Sequence, residues 1–403
     1  MSATPVATRN SSSREGFGLH PHPKIRGLLR FLRASRWNPQ DAASHLRGVL
    51  GWLCRAQDAT RGGGVSYGYG ILEGWRPAYP ETTGYCIPTC LRAARLLNDA
   101  SLRERALTMA AWELTVQTLD GGIPGGPLSS NGRKPCVPFD TGQVLQGWIA
   151  AFAETRDPRF LCAARRAGAW LTNPRIHAGI WQDEFPAGRV LRRAYNARTC
   201  WALLQLHQID PQPEFRQVAY QNLEWTLDRQ LPNGWLRENT FVPGHPALTH
   251  CIAYVMEGLM ESSLLLQELR LLEAAVRTAQ ALKNEFDRRG WLPARFDSNW
   301  KSSDRFSCVT GNAQTALVWL RLYEITGRQD FREAGLRMNE WLKGIQIQSI
   351  ADPNLHGGMP GSSPIYGSYE PVRLPNWAAK FFADALLAEC ELKPEAEVDQ
   401  KSS

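Results

Sequence analysis

Six times along the sequence a short run of hydrogen-bonding residues leads straight into an apolar helical stretch, and no other feature restricts the fold as much. The entrances are Tyr79-Pro80-Glu81-Thr82-Thr83-Gly84-Tyr85, Phe139-Asp140-Thr141-Gly142-Gln143, Tyr195-Asn196-Ala197-Arg198, Leu248-Thr249-His250-Cys251, Val309-Thr310-Gly311-Asn312-Ala313-Gln314 and Pro375-Asn376-Trp377-Ala378. The stretches they open, such as 143–152, 251–260 and 314–322, are apolar nearly all round, and a helix without a polar face is buried on every side.

A glycine loop precedes each entrance: Gly62-Gly63-Gly64, Gly121-Gly122, Gly179, Gly234, Gly290 and Gly357-Gly358. The repeat is about 55 to 65 residues, longer than that of the common solenoids. Ahead of each loop stands a second kind of helix, more charged, with start signals such as Asn38-Pro39 and Asp157-Pro158, a capping side chain followed by proline at the first helical position. Strict alternation of outer and inner helices predicts a closed ring of hairpins, because an open solenoid needs polar end caps that are not legible here. The fold class expected is all-α, an (α/α)6 toroid with short β pairs confined to the rim loops. One domain should span 37–390, between a leading segment 1–36 and a flexible tail 391–403.

Composition removes several classes. With 43% hydrophobic and 21% charged residues the chain is neither disordered nor fibrous, and no apolar run approaches the roughly 20 residues that span a bilayer. The net charge of +7 is concentrated early: residues 1–60 carry nine Lys or Arg against three acids, and the remainder is nearly neutral, so nucleic acid is not an expected partner. Residues 23–36 read as a basic amphipathic helix, with Ile25, Leu28, Leu29 and Leu32 on one stripe and Lys24, Arg26, Arg30 and Arg33 around it. Such a helix is either a lid packed on the domain or a peripheral contact with a membrane surface. No secretory leader is legible, which predicts a cytoplasmic protein, at the inner membrane face if that helix meets lipid. The nine cysteines lack zinc spacing and read as reduced thiols. No DxDD motif, zinc set or P-loop is present, and no cofactor is called for.

The connections are unequal. Links from inner to outer helices are short, as in Glu154-Thr155-Arg156-Asp157 and Thr326-Gly327-Arg328, whereas those from outer to inner helices are long and rich in Gly, aromatics, Asp and Arg. The long loops therefore build one face of the ring, where binding residues collect. The inner helices begin on that face, and their first turns offer unpaired N–H groups and partial positive charge. A central pocket there is expected to be lined by Glu81, Asp140, Asn196, His250, Asn312 and Asn376. Trp75, Trp181, Trp235, Trp291, Trp300 and Trp377 fall in loops or entrances, where their flat faces either meet a ligand or plug the end of the ring.

This pattern, over residues 39–389, resembles the six-hairpin (α/α)6 toroid superfamily, which includes glycoside hydrolases, polysaccharide lyases and sugar epimerases. Residues 79–85, 310–314 and 374–385 further resemble bacterial proteins associated with polysaccharide biosynthesis. The resemblance implies a glycan or sugar-containing substrate, bound by Tyr79, Tyr85, Tyr195, Asn196, Arg198, Trp75, Trp181, Trp235, Asn312, Gln314, Arg295, Asn376 and Trp377. Hydrolysis needs two carboxyl groups, and Glu81 with Asp140, at neighbouring helix entrances, form the natural pair. Either acid can equally be a helix N-terminal residue satisfying the dipole. Asp183, Glu184 and Asp297 are reserve acids on the rim. Proton abstraction beside a uronate carboxylate or a carbonyl is the alternative, with His250 and Tyr254 as bases and Arg198 or Arg295 neutralising the intermediate. A non-catalytic glycan-binding or assembly role is the third.

Overall fold

Apolarity sorts the helices into two rings. The structure, a computed structural model, describes residues 35–36, 41–128, 134–175, 179–185, 189–348 and 352–392. Most of the basic segment 23–36 and all but the first residues of the tail 391–403 lie outside these. In chain order the helices are α1 (Ala42–Asp58), α2 (Pro80–Leu97), α3 (Ala100–Val116), α4 (Pro138–Thr155), α5 (Pro158–Thr172), α6 (Ala197–Ile209), α7 (Pro213–Leu227), α8 (Thr249–Leu266), α9 (Leu269–Arg289), α10 (Val309–Thr326), α11 (Gln329–Lys343) and α12 (Asn376–Glu391). Even-numbered helices are inner and odd-numbered ones outer. Inner α8 buries every residue from Thr249 to Met260, whereas outer α9 buries one stripe, Leu271, Ala274, Ala275, Thr278, Ala279, Leu282 and Phe286, at the three-to-four spacing of a single helix face.

Each inner helix from α2 to α10 turns tightly into the outer helix that follows. Between α4 and α5 the chain reverses at Arg156, φ 60°, and Asp157 caps Pro158-Arg159 by accepting from the Arg159 N–H at 2.9 Å. Between α10 and α11 the reversal falls on Gly327, φ 71°. Helix α1 begins at Ala42, where Asp41 caps it by accepting from the Ser44 N–H at 2.8 Å; the start expected at Asn38-Pro39 lies outside the described residues.

The inner helices pack in sequence, α2 on α4, α4 on α6, and so to α12, which returns to α2, while α1 closes against α12. Glycine sets how near they come at their starts. A Cβ on Gly84 would lie 2.5 Å from the Val144 Cα, and one on Gly311 would lie 2.5 Å from the His250 nitrogen. The seam is stitched by strand Gly68–Gly70, which pairs antiparallel with Gly74–Trp75 on one side and Arg373–Pro375 on the other. Asn376 Nδ2 crosses the seam, donating to the Ser66 carbonyl and to Thr82 Oγ1, both at 2.7 Å. All described strands are short antiparallel pieces in or beside the long loops.

Candidate active site

The six inner helices begin at one end of the bore, and there the long loops enclose a cavity of about 330 Å³. Pro80 and Pro138 open α2 and α4 where the missing N–H costs nothing, so Glu81 and Asp140 fall in the first turns, pointed at the cavity. His250 and Tyr254 enter from α8, Tyr195 from the 3-10 turn Ala194–Asn196, and Trp377 from α12. Aromatic rings form the wall. Tyr67 and Tyr79 stack at 5.9 Å and 14°, Trp377 meets Tyr67 edge-on at 4.6 Å, and Phe139 packs between Tyr195 and Tyr254 at 5.0 and 4.8 Å. The floor is Tyr85 and Tyr254, and behind them packs Phe381, its ring 5.4 and 5.7 Å from theirs.

Burial raises the Glu81 carboxyl from 4.5 to about 7, against the opposing pull of a hydrogen bond from the Tyr79 hydroxyl to Oε2 and of the Arg198 charge. Asp140 is held differently, with Oδ2 accepting from the Gly126 N–H at 3.0 Å. His250 is pushed from 6.5 to about 4, first by burial, with Arg198 adding to the effect and Gln314 opposing it. Its Nδ1 lies 2.6 Å from Gln314 Oε1, so the neutral ring donates there and keeps the Nε2 lone pair. Tyr254 is pushed well above its ordinary value by burial and then by the Glu81 charge, which keeps it a phenol. A third carboxylate also lines the cavity: Glu370 accepts from the Tyr67 hydroxyl at 2.5 Å and pairs with Arg373 at 3.5 Å.

Eight of the residues singled out in the sequence line this cavity together: Glu81, Asp140, His250, Tyr254, Tyr79, Tyr85, Tyr195 and Trp377. The others stand apart, each for a physical reason. Arg198 lies beneath the floor, over the faces of Tyr254 and Phe381, ion-paired with Glu257 and donating to Gln143. Asn196 is buried and accepts from Thr199 Oγ1 at 3.4 Å. Asn312 brackets the Leu292 backbone, Asn376 the seam, and Gln314 backs His250. Trp181 is fully buried and donates to the Leu171 carbonyl, while Trp75 packs on Trp52 and Tyr69. Trp235 packs on Trp300, and Arg295 pairs with Asp304 at 3.1 Å on the rim. The side chains of Asp183 and Glu184 lie outside the described structure.

Sequence reading missed Tyr67, Phe139, Phe241, Tyr369 and Glu370 as lining groups. Phe139 sits beside Asp140 in an entrance and was within reach of the same logic. Glu370 was not, because its loop reads only as glycine-rich rim and its carboxylate arrives through a backbone at φ 48°.

A larger hollow, about 440 Å³, opens at the opposite end of the bore. Its charges are already matched, Arg198 with Glu257, Lys380 with Asp384, Arg92 with Glu391 and Arg321 with Glu261. The aromatic cavity, with a carboxyl that titrates near neutrality, is therefore the candidate site.

Two concentric rings of six helices with a cavity at the inner N-termini define an (α/α)6 toroid. No protein-family model and no curated protein sequence matches the chain. Among solved structures, an unsaturated glucuronyl hydrolase from a Bacillus species, described as responsible for the degradation of glycosaminoglycan, aligns with a TM-score of 0.67 at 16% identity over 86% of this chain and 96% of its own. The cellobiose 2-epimerase of Bacillus thermoamylovorans aligns with a TM-score of 0.69 at 11% identity, over 86% and 97%. An alpha-amylase from Clostridium perfringens aligns at 0.62 and 11%, over 86% and 97%. Identities this low speak for the fold alone.

Proposed function

We propose that the protein is a carbohydrate-active enzyme that hydrolyses a glycosidic bond, with Glu81 as general acid and Asp140 as the second carboxylate. One observation carries this reading: two carboxyl groups with different surroundings share one aromatic cavity, and one of them keeps its proton up to about pH 7. Glu81 protonates the leaving oxygen, and the Tyr79 hydroxyl bond, worth more to a carboxylate than to an acid, strengthens as the proton departs. Asp140 faces the positive charge that grows on the anomeric carbon, as nucleophile or through a water. The rings of Tyr67, Tyr79 and Trp377 offer flat apolar faces to a sugar. Glycoside hydrolases among the structures of the same fold support the class.

Epimerisation or lyase chemistry is the second reading, supported by the neutral imidazole of His250 and by the epimerase of the same fold. It ranks lower because a ring that binds its proton only below about 4 is a weak base. Both cations expected for it are already engaged, Arg198 by Glu257 under the floor and Arg295 by Asp304 on the rim. Incubating the protein with neutral and uronic-acid oligosaccharides in deuterated water, read by mass spectrometry and NMR, separates the readings. Cleavage with water added, lost in Glu81→Gln and Asp140→Asn, supports hydrolysis. Deuterium at carbon or an unsaturated product moves the assignment to His250, and turnover of none of the sugars while both variants keep cellular function would leave a binding role.

A further inference from the structure

We propose that the substrate is an oligosaccharide taken by its end, its terminal ring in the aromatic cavity and its following residues laid along a track over the rim that finishes at Asn239. This rests on the reading of the cavity as a sugar site and names the kind of sugar it takes.

The cavity's floor of Tyr85 and Tyr254 is backed by the Phe381 ring, with the Lys380 ammonium 3.9 Å from its centre, so a polymer cannot thread the bore. At about 330 Å³ it sits near the lower bound of ligand pockets, about 300 Å³, which suits a ring or two rather than a chain. Phe241 and Tyr369 at its mouth are also walls of a second hollow of about 840 Å³. That hollow in turn shares His245, Pro246 and Asp297 with a third, of about 600 Å³. Three hollows that share walls thus lie in a row outward from Glu81.

Their surfaces suit a hydroxyl-rich chain. Phe241 and Val242 are exposed, 39% and 53%, beside the middle hollow, with the Phe241 ring held edge-on against Tyr195 at 5.6 Å. Arg295 is already matched by Asp304, and the Asp297 carboxylate accepts from the N–H groups of Asn299 and Lys301, which fixes the loop that forms the wall. In the third hollow, Asn239 is 1% exposed, yet neither its amide oxygen nor its nitrogen has a hydrogen-bond partner among the described residues. A buried amide left with both groups unpaired is costly and rare unless a ligand completes it. Its backbone is anchored on both sides: the Glu238 carbonyl accepts from the Ala194 N–H at 3.0 Å, and the Thr240 carbonyl from Arg193 at 2.9 Å. The amide is held still with a donor and an acceptor unused, the pair that adjacent sugar hydroxyls satisfy.

The test is a length series. Cello-, malto- and hyaluronan oligosaccharides of two to six residues are titrated into the full chain by calorimetry, for the wild type, Asn239→Leu and Val242→Asp. In at least one series wild-type affinity should rise about a hundredfold between the shortest and longest members, about tenfold for each added hollow filled. Asn239→Leu should lose about tenfold on the long members only, and its Tm should not fall, because no protein contact is removed. Val242→Asp, on the surface, should flatten the middle of the series. Binding that does not depend on length overturns the track and leaves the hydrolase reading standing. A Tm loss in Asn239→Leu with equal weakening at every length makes Asn239 structural and overturns its role. No binding at any length removes the sugar site itself, and the track with it.

Discussion

Tyr79→Phe removes one oxygen from the cavity wall and leaves the ring stacked on Tyr67, so its effect falls on Glu81. The Glu81 carboxyl is raised to about 7 by burial, and the Tyr79 hydrogen bond is the largest influence opposing that rise. Hydrogen bonds to charged groups are worth about 1.5–3 kcal/mol, and about 1.4 kcal/mol corresponds to one pH unit. Losing this one should move the Glu81 midpoint further up, by about one to two pH units. The measurement is a carbon-13 NMR titration of protein labelled at the glutamate δ-carboxyl, with the Glu81 signal assigned by its absence from Glu81→Gln. Where a cleaved glycan is in hand, the alkaline limb of kcat/KM should move by the same amount, since the acid form stays populated to higher pH. A midpoint in the variant that stays put or falls toward 4.5 would refute the claim that Tyr79 holds the carboxylate form.

The same carboxyl links stability to pH. Because Glu81 binds its proton more tightly in the folded chain, at about 7 against 4.5, it destabilises the fold as pH rises through that window. The full effect is up to about 3 kcal/mol. Glu81→Gln should therefore be the more stable form above pH 7 and little different from wild type below pH 4.5, by thermal unfolding. His250 has the opposite sign: its folded value, about 4, lies below the unfolded 6.5, so stability is lost as pH falls from 6.5 to 4, and His250→Asn should lose less across that range. Gly84→Ala places a methyl 2.5 Å from the backbone of α4 and should cost about 1–3 kcal/mol in chemical denaturation while weakening any activity through the altered Glu81 and Asp140 spacing; unchanged stability would show that the helices can part there freely. Deleting residues 1–36 should abolish flotation with anionic liposomes if the basic segment is a membrane contact, and equal flotation of the two forms would sink that idea.

The ring was legible because its signals are periodic. All-round apolarity marked the inner helices, and short links against long ones fixed which end carries the loops; both are local properties of sequence. Glu81, Asp140 and His250 could be found by the same route, since a residue in the first turn of an inner helix has few places to point. The polar residues at neighbouring positions in those turns divided according to which way the helix faces. Asn312 and Asn376 turn outward to tie loop backbones, while Trp377, next to Asn376, turns inward. Entrance composition cannot distinguish them, because that depends on the rotation of each helix about its axis, which packing across the ring decides. Glu370 and Tyr67 were out of reach for another reason: they meet only because strand Arg373–Pro375 lies against Gly68–Gly70.

That seam also governs when the site comes into being. Tyr67 with Glu370, Thr82 with Asn376, and Thr89 with Asp384 join residues 303, 294 and 295 positions apart. At the roughly 5–20 residues per second of ribosomal synthesis, the first partner of each pair waits about a quarter of a minute to a minute for the second. Until α12 arrives, α2 has one flank bare and Glu81 sits on the edge of an open arc, wetted on the side that later seals it. The carboxyl that titrates near neutrality is then a property of the finished circle, so a chain that lacks α12 would not hold Glu81 in the surroundings that raise it.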